Sequence, residues 1–178
     1  LGLVLTVGGL GFLTGSILMS SWGGGRRKVY TVFGAYALLS VAVILAGLST
    51  SVPLMAVSMF VAFLCVPVVM AASQAIMQAK VAPDVQGRVF GTQLLISHCT
   101  IPIAALLAGP LADRVFEPAM MPGGGLVEAF GWLVGEGPGA GMALMIVFAG
   151  VLQLAVPLLG YTWRAVREVE TVLPDHDA

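Results

Sequence analysis

The first 28 residues read LGLVLTVGGLGFLTGSILMSSWGGGRRK, and they indicate the class of the whole chain. Residues 1–21 carry no charge, whereas the turn that follows ends in three positive charges, Arg26, Arg27 and Lys28. A helix needs about 20 mostly apolar residues to cross the ~30 Å hydrocarbon core of a bilayer. The stretch therefore predicts a membrane-spanning helix followed by a charged turn at the membrane surface.

The composition of the remaining chain agrees with that interpretation. Of 178 residues, 58% are hydrophobic and 10% are charged, against about 45–50% and about 25% in soluble domains. So few charges cannot cover the apolar surface of a soluble fold of this size. A net charge of −1 also gives no basic surface for nucleic acid, so we expect the lipid bilayer as a partner and no nucleic acid.

Hydropathy predicts an all-α membrane protein with about five transmembrane helices, within a bundle at 1–161. A long connection rich in Gly and Pro follows the fourth span, and its segment 126–134 is apolar but too short to cross, which favours a surface helix. A charged tail occupies 162–178. The predicted spans are 1–21, 29–48, 53–78, 89–112 and 141–161, with the long external loop at 113–140.

The positive charges give the orientation. Lys and Arg accumulate in cytoplasmic loops, and one side of this alternating set holds all of the eight Lys and Arg residues except Arg114. We therefore expect a multi-pass protein of the cell membrane, with the basic turns and the C-terminus in the cytoplasm. Because Leu1 lies in an apolar run without an initiator Met or a signal peptide, we expect the chain to begin within a longer protein.

Small residues recur on two of the spans. Gly8, Gly11 and Gly15 follow one another at spacings of three and four, and Ala104 and Ala108 are four apart. Small residues at such spacings let membrane helices pack closely. Both stripes are therefore predicted helix-packing faces.

Three segments, in this order, carry a resemblance to a known family. The segment 15–27, GSILMSSWGGGRR, resembles the loop between helices eight and nine of major facilitator superfamily transporters. The segment 82–91, APDVQGRVFG, is similar to the loop that enters helix eleven in their drug and siderophore (macrolide- and enterobactin-type) efflux branch. The segment 108–113, AGPLAD, is like the outer end of that helix.

The resemblance covers nearly the whole chain and implies that its spans are helices eight to twelve of a twelve-helix fold. It implies an exporter that moves a small amphipathic molecule, a drug or a secreted metabolite, by alternating access, with proton antiport as the expected coupling. Its partners would be the missing N-terminal helices and the small-molecule substrate, and the fragment alone would not transport. One feature departs from the family: no acidic residue lies between Gly15 and Arg26, so the charge-relay role of that acid cannot be transferred.

Polar side chains inside predicted spans are costly in lipid and tend to face a cavity or another helix. In the family's arrangement the third span lines the central cavity and the fourth lies beside it at the interface of the halves, so Gln74, Gln78, Gln93 and His98 are the candidates to line the transport path. For each glutamine a helix-to-helix hydrogen bond is the alternative. His98 either carries a proton in a coupled antiport cycle, as a histidine side chain can near neutral pH, or is a packing residue.

The loop candidates are Arg26, Arg27 and Lys28 in the first turn and Asp84 and Arg88 in the third. The three basic residues either anchor the topology or form a cytoplasmic latch that stabilises one transport state. Asp84 and Arg88 are four apart, which suits an ion pair of a few tenths of a kcal/mol. Arg88 could instead reach the missing half, and helix capping is the interpretation we favour for Asp84.

Two other classes of function compete with a transporter. An enzyme is not expected, because neither HExxH nor GxSxG occurs and the only histidines are His98 and His176. No cofactor or metal is expected either. A non-transporting membrane subunit or anchor remains the alternative, since five helices and a short tail would suit it equally well.

Overall fold

The computed structural model describes residues 2–172, a range in which the chain forms helices and no strand. Five of these helices are long and apolar enough to cross a membrane. This confirms the predicted all-α class with five membrane-length helices. In chain order the helices are α1 (Gly2–Trp22), α2 (Lys28–Gly47), α3 (Val52–Lys80), α4 (Pro83–Leu111), α5 (Glu117–Ala119), α6 (Val127–Val134), α7 (Ala140–Thr162), α8 (Arg164–Arg167) and α9 (Val169–Val172), with a π-helical turn at Ala112–Phe116 before α5.

The chain divides into two compact units. The first comprises Leu1–Lys80 and Ile146–Ala178, and the second comprises Val81–Met145. The predicted tail at 162–178 begins in the helices α8 and α9, and its last six residues, together with residue 1, lie outside the described part of the chain.

In the first unit, α1 packs against α3 through its glycines. Gly8, Gly11 and Gly15 are all buried and lie on one face of α1. A Cβ at Gly11 would overlap the carbonyl oxygen of Phe60, and one at Gly15 would overlap that of Leu64. The absence of side chains therefore lets the backbones of the two helices approach closely, as in other small-residue packings of membrane helices.

The same unit places α2 against α3 and against the second half of α7. Met19, Val68 and Ala72 form a buried cluster, with Val32 and Ala35 of α2 packed on it. A Cβ at Gly150 of α7 would lie 2.7 Å from Cγ1 of Ile44, so this contact is also a close one. By contrast, large apolar side chains such as Leu3 and Ile17 are exposed, which suits contact with lipid tails.

The second unit contains a small core of its own. Met120 has no exposed surface, and with Ala140 and Leu144 it forms a buried cluster. Phe116, Leu126, Phe130 and Val134 are half-buried and pack on that cluster. The backbone N–H of Gly137 donates to the carbonyl of Met120 over 3.0 Å. The connection between α4 and α7 is thus an ordered structure rather than an open loop.

The structure corrects two boundaries. Four predicted spans begin and end within two residues of a helix. The predicted start of the fourth span at residue 89 is wrong, because α4 already begins at Pro83. The fixed φ of proline suits the first position of a helix, where its missing N–H costs nothing. At the other end, the helical path continues past residue 112 to Ala119, so the first part of the predicted loop 113–140 is helical.

Candidate functional site

The fourth membrane-length helix, α4, carries two of the predicted cavity residues, and most of its residues are exposed. No residue of α4 is buried. Gln93, Ser97 and Thr100 lie close together on one face, because successive residues of an α-helix are 100° apart. The same face continues to Ala104 and Ala108, which are also exposed. The structure thus leaves one polar and small-residue face of α4 uncovered.

His98 does not lie on this face. It is five residues after Gln93, so the two side chains point about 140° apart around the helix axis. The His98 ring nitrogen Nδ1 lies 3.0 Å from the carbonyl oxygen of Leu94, one turn earlier. A single cavity-facing stripe of α4 therefore cannot hold both residues, and Gln93 is the better placed candidate.

The other pair of predicted cavity residues belongs to α3. Gln74 and Gln78 are both exposed, and a spacing of four puts them about 40° apart on one face. They lie in the last two turns of the helix, near Lys80. The structure therefore brings this pair together on the first unit, close to the basic turn.

At the start of α4, Asp84 and Arg88 are both exposed and form no ion pair with each other in the described part of the chain. The capping interpretation of Asp84 is wrong, because the N-cap position belongs to Ala82 and no side chain caps the helix there. Pro83 takes the first helical position, which moves Asp84 into the first turn. A carboxylate there interacts favourably with the helix dipole instead.

The glycine-rich turn after α1 adopts a backbone conformation that favours glycine. Gly23 and Gly24 adopt φ values of 69° and 83°, a region in which only glycine is unstrained. The Gly25 N–H donates to Oγ1 of Thr31 over 3.1 Å. The turn therefore reverses the chain within a few residues and presents Arg26 and Arg27 at the beginning of α2, where both are exposed.

Glu170, a residue of the tail, forms hydrogen bonds with the beginning of α2 and the end of α3. Its carboxylate accepts the backbone N–H of Lys28 over 3.0 Å and that of Val29 over 3.3 Å. These are the first two N–H groups of α2, which have no partner within the helix. Lys80 Nζ in turn donates to the backbone carbonyl of Glu170 over 2.9 Å. Glu170 is thus a cap that the tail supplies to α2 and a contact with the end of α3.

Aromatic side chains add a second link between the tail and α2. The Arg27 guanidinium lies 5.9 Å from the ring centre of Tyr30, and that of Arg167 lies 5.6 Å from the ring centre of Tyr161. The two tyrosine rings are 6.4 Å apart at an angle of 57°, a favourable tilted arrangement. The predicted latch residue Arg27 therefore contacts an aromatic ring, and that ring contacts α7.

Within the tail, Arg164 Nε lies 3.0 Å from Oε2 of Glu168. The hydrogen bond from Arg164 holds the pKa of the Glu168 carboxyl below its ordinary value. Because Arg164 is largely exposed, such a pair contributes little to stability. The contact of Glu170 with α2 is the feature of this site that the sequence does not predict, since no local pattern indicates a contact between residues 142 positions apart.

Among the described residues, no group of three His, Cys, Asp or Glu side chains is placed to hold a metal ion. No family model, curated protein or solved structure matches the chain. The resemblance to the major facilitator superfamily thus depends on the three quoted segments alone.

Proposed function

We propose that the chain is the C-terminal part of a secondary active exporter of the major facilitator type, which moves small amphipathic molecules out of the cytoplasm by alternating access coupled to protons. In this proposal the basic turn, the start of α4 and the tail lie in the cytoplasm. The exporter would include further spans before residue 1, and their helices would cover the exposed face of α4.

One observation supports the proposal above the others: α4 is long and apolar enough to span a membrane, yet it exposes Gln93, Ser97 and Thr100 on one face. A glutamine side chain left in hydrocarbon without a hydrogen-bond partner costs several kcal/mol. Such a face is stable in a membrane only against another helix or along a water-filled path. A helix that lines the path between two halves of a transporter meets that requirement.

The gene provides the first test. The coding sequence before residue 1 is expected to encode about seven further spans, with a glycine-rich loop that carries both acidic and basic residues between the second and third. A start codon immediately before residue 1 would contradict the proposal and would favour the non-transporting subunit or anchor.

The role of Gln93 provides the second test, in cells that express the full-length protein and are loaded with ethidium. Gln93→Ala is expected to slow efflux by roughly three- to tenfold, the effect of losing one hydrogen bond of about 1 kcal/mol. Leu95→Ala is the matched control, because the Leu95 and Gln93 side chains point about 160° apart on the same helix. Equal efflux by the two variants, or no efflux above that of cells without the protein, would contradict the proposal.

A further inference from the structure

A groove at the basic end of the first unit combines three kinds of surface. Its volume is about 520 Å³. Its lining includes the apolar residues Gly34, Ala35 and Val68, the aromatic residues Trp22 and Tyr30, and two exposed arginines, Arg26 and Arg27, which are called its mouth below.

The depth of these residues matches the layers of a bilayer. Gly34 lies six residues after Lys28, the first residue of α2, which places it about 9 Å further along the helix axis. The headgroup region of a bilayer is about 5–8 Å thick on each side of the hydrocarbon core. If Arg26 and Arg27 lie among headgroups, Gly34 lies at the level of the acyl chains. Trp22 and Tyr30 then lie between them, the level that such side chains prefer.

The charge at the mouth is positive. Neither Arg26 nor Arg27 takes part in an ion pair in the described part of the chain, and none of the described residues that line the groove is acidic. A second cavity of about 320 Å³ shares Arg26 and Arg27, and its other charged lining residues in the described part of the chain are Lys28, Lys80 and Glu170. Cationic side chains therefore outnumber carboxylates among the described residues that line it.

From this arrangement we infer that the groove binds one anionic phospholipid. The phosphate lies between the guanidinium groups of Arg26 and Arg27, and one acyl chain lies along Gly34, Ala35 and Val68. Tyr30 holds the Arg27 guanidinium at the mouth through the contact at 5.9 Å. Anionic lipids are abundant in the cytoplasmic leaflet, and basic pockets between membrane helices bind their headgroups.

A separate, uncharged groove in the same unit allows an internal comparison. It has a volume of about 610 Å³ and is lined by residues without charge, among them Gly9, Leu10 and Phe63. An acyl chain can lie there, but nothing in its lining distinguishes an anionic lipid from a zwitterionic one. Selectivity for an anionic lipid is therefore expected at the groove with Arg26 and Arg27 and not at the uncharged groove.

The test is native mass spectrometry of the full-length protein in detergent, with phosphatidylglycerol or phosphatidylcholine added. We expect one phosphatidylglycerol to be retained at least about tenfold more tightly than phosphatidylcholine. Replacing Arg26 and Arg27 together by glutamine is expected to abolish that preference. Equal retention of the two lipids by the unmodified protein would overturn the inference.

Gly34→Leu fills the groove without changing any charge. A Cβ at Gly34 meets no atom within 4 Å, so the first carbon of the new side chain meets no neighbour. This variant is expected to lose the tight phosphatidylglycerol, whereas Gly9→Leu, at the uncharged groove, keeps it. Two results would overturn the inference. One is a Gly34→Leu protein that retains phosphatidylglycerol, and the other is displacement of the lipid from the unmodified protein by millimolar inorganic phosphate alone. Either result would indicate an anion site without an acyl-chain groove.

Discussion

Gly11→Val is expected to lower the free energy of unfolding of the first unit by about 3 kcal/mol, the upper end of the usual cost of overpacking. A Cβ at position 11 would overlap the carbonyl oxygen of Phe60. That oxygen belongs to the backbone of α3, so no side-chain rotation relieves the clash and the helices must separate. The measurement is unfolding of the purified protein by SDS in mixed micelles, followed by circular dichroism.

Gly9→Val is the matched control for this prediction. Gly9 lies on the same helix, two residues before Gly11, and a Cβ there meets nothing within 4 Å. Both substitutions introduce the same side chain into the same helix, so their effects on helix propensity are equal. A Gly11→Val protein as stable as the Gly9→Val protein would contradict the close α1–α3 packing.

Met120→Ala is expected to loosen the connection between α4 and α7. The Met120 side chain has no exposed surface and lies in contact with Ala140 and Leu144. Truncating such a residue costs about 2–5 kcal/mol through lost burial and the cavity that remains. Hydrogen exchange of the Gly137 and Leu126 amides, which bond to the carbonyls of Met120 and Ala119, is expected to become more than tenfold faster.

The neighbouring methionine gives the control for that change. Met121 is 39% exposed, so Met121→Ala removes a side chain of the same size and chemistry from the surface of the same segment. Its amide exchange is expected to match that of the unmodified protein. Equal acceleration in the two variants would mean that Met120 is not the centre of a packed core.

The helices could be predicted from sequence because the chain separates its apolar and charged residues so strongly. Residues 1–21 contain no charge, and a run of this length in lipid must satisfy its backbone groups internally, which only a helix does within one segment. The start of α4 is earlier than hydropathy predicts. Hydropathy assigns residues 84–88 to a loop because most of them are polar, but they form a helix once Pro83 supplies its first position.

The candidate site was less predictable, because its contacts are not local. The spacing of Gln93 and His98 already implied different faces of a helix, and geometry alone could have separated them. Glu170 is different: its carboxylate reaches the start of α2 only when the tail folds back, and nothing in residues 164–172 signals that contact. The groove at Gly34 is equally invisible in sequence, since it depends on how α2 and α3 pack.

We expect five helices to cross a membrane with the basic turns and the tail on the cytoplasmic side, and the accessibility of single cysteines tests this topology. The experiment places single cysteines in a background in which the free Cys65 and Cys99 are replaced by alanine, and it compares labelling by an impermeant maleimide in intact and in lysed cells. The positions are Ser21, Thr50, Asp84, Gly125 and Trp163. We predict labelling of Thr50 and Gly125 in intact cells and of the other three only after lysis. Labelling of Ser21 and Thr50 from the same side would contradict the account, because α2 would then not cross the membrane.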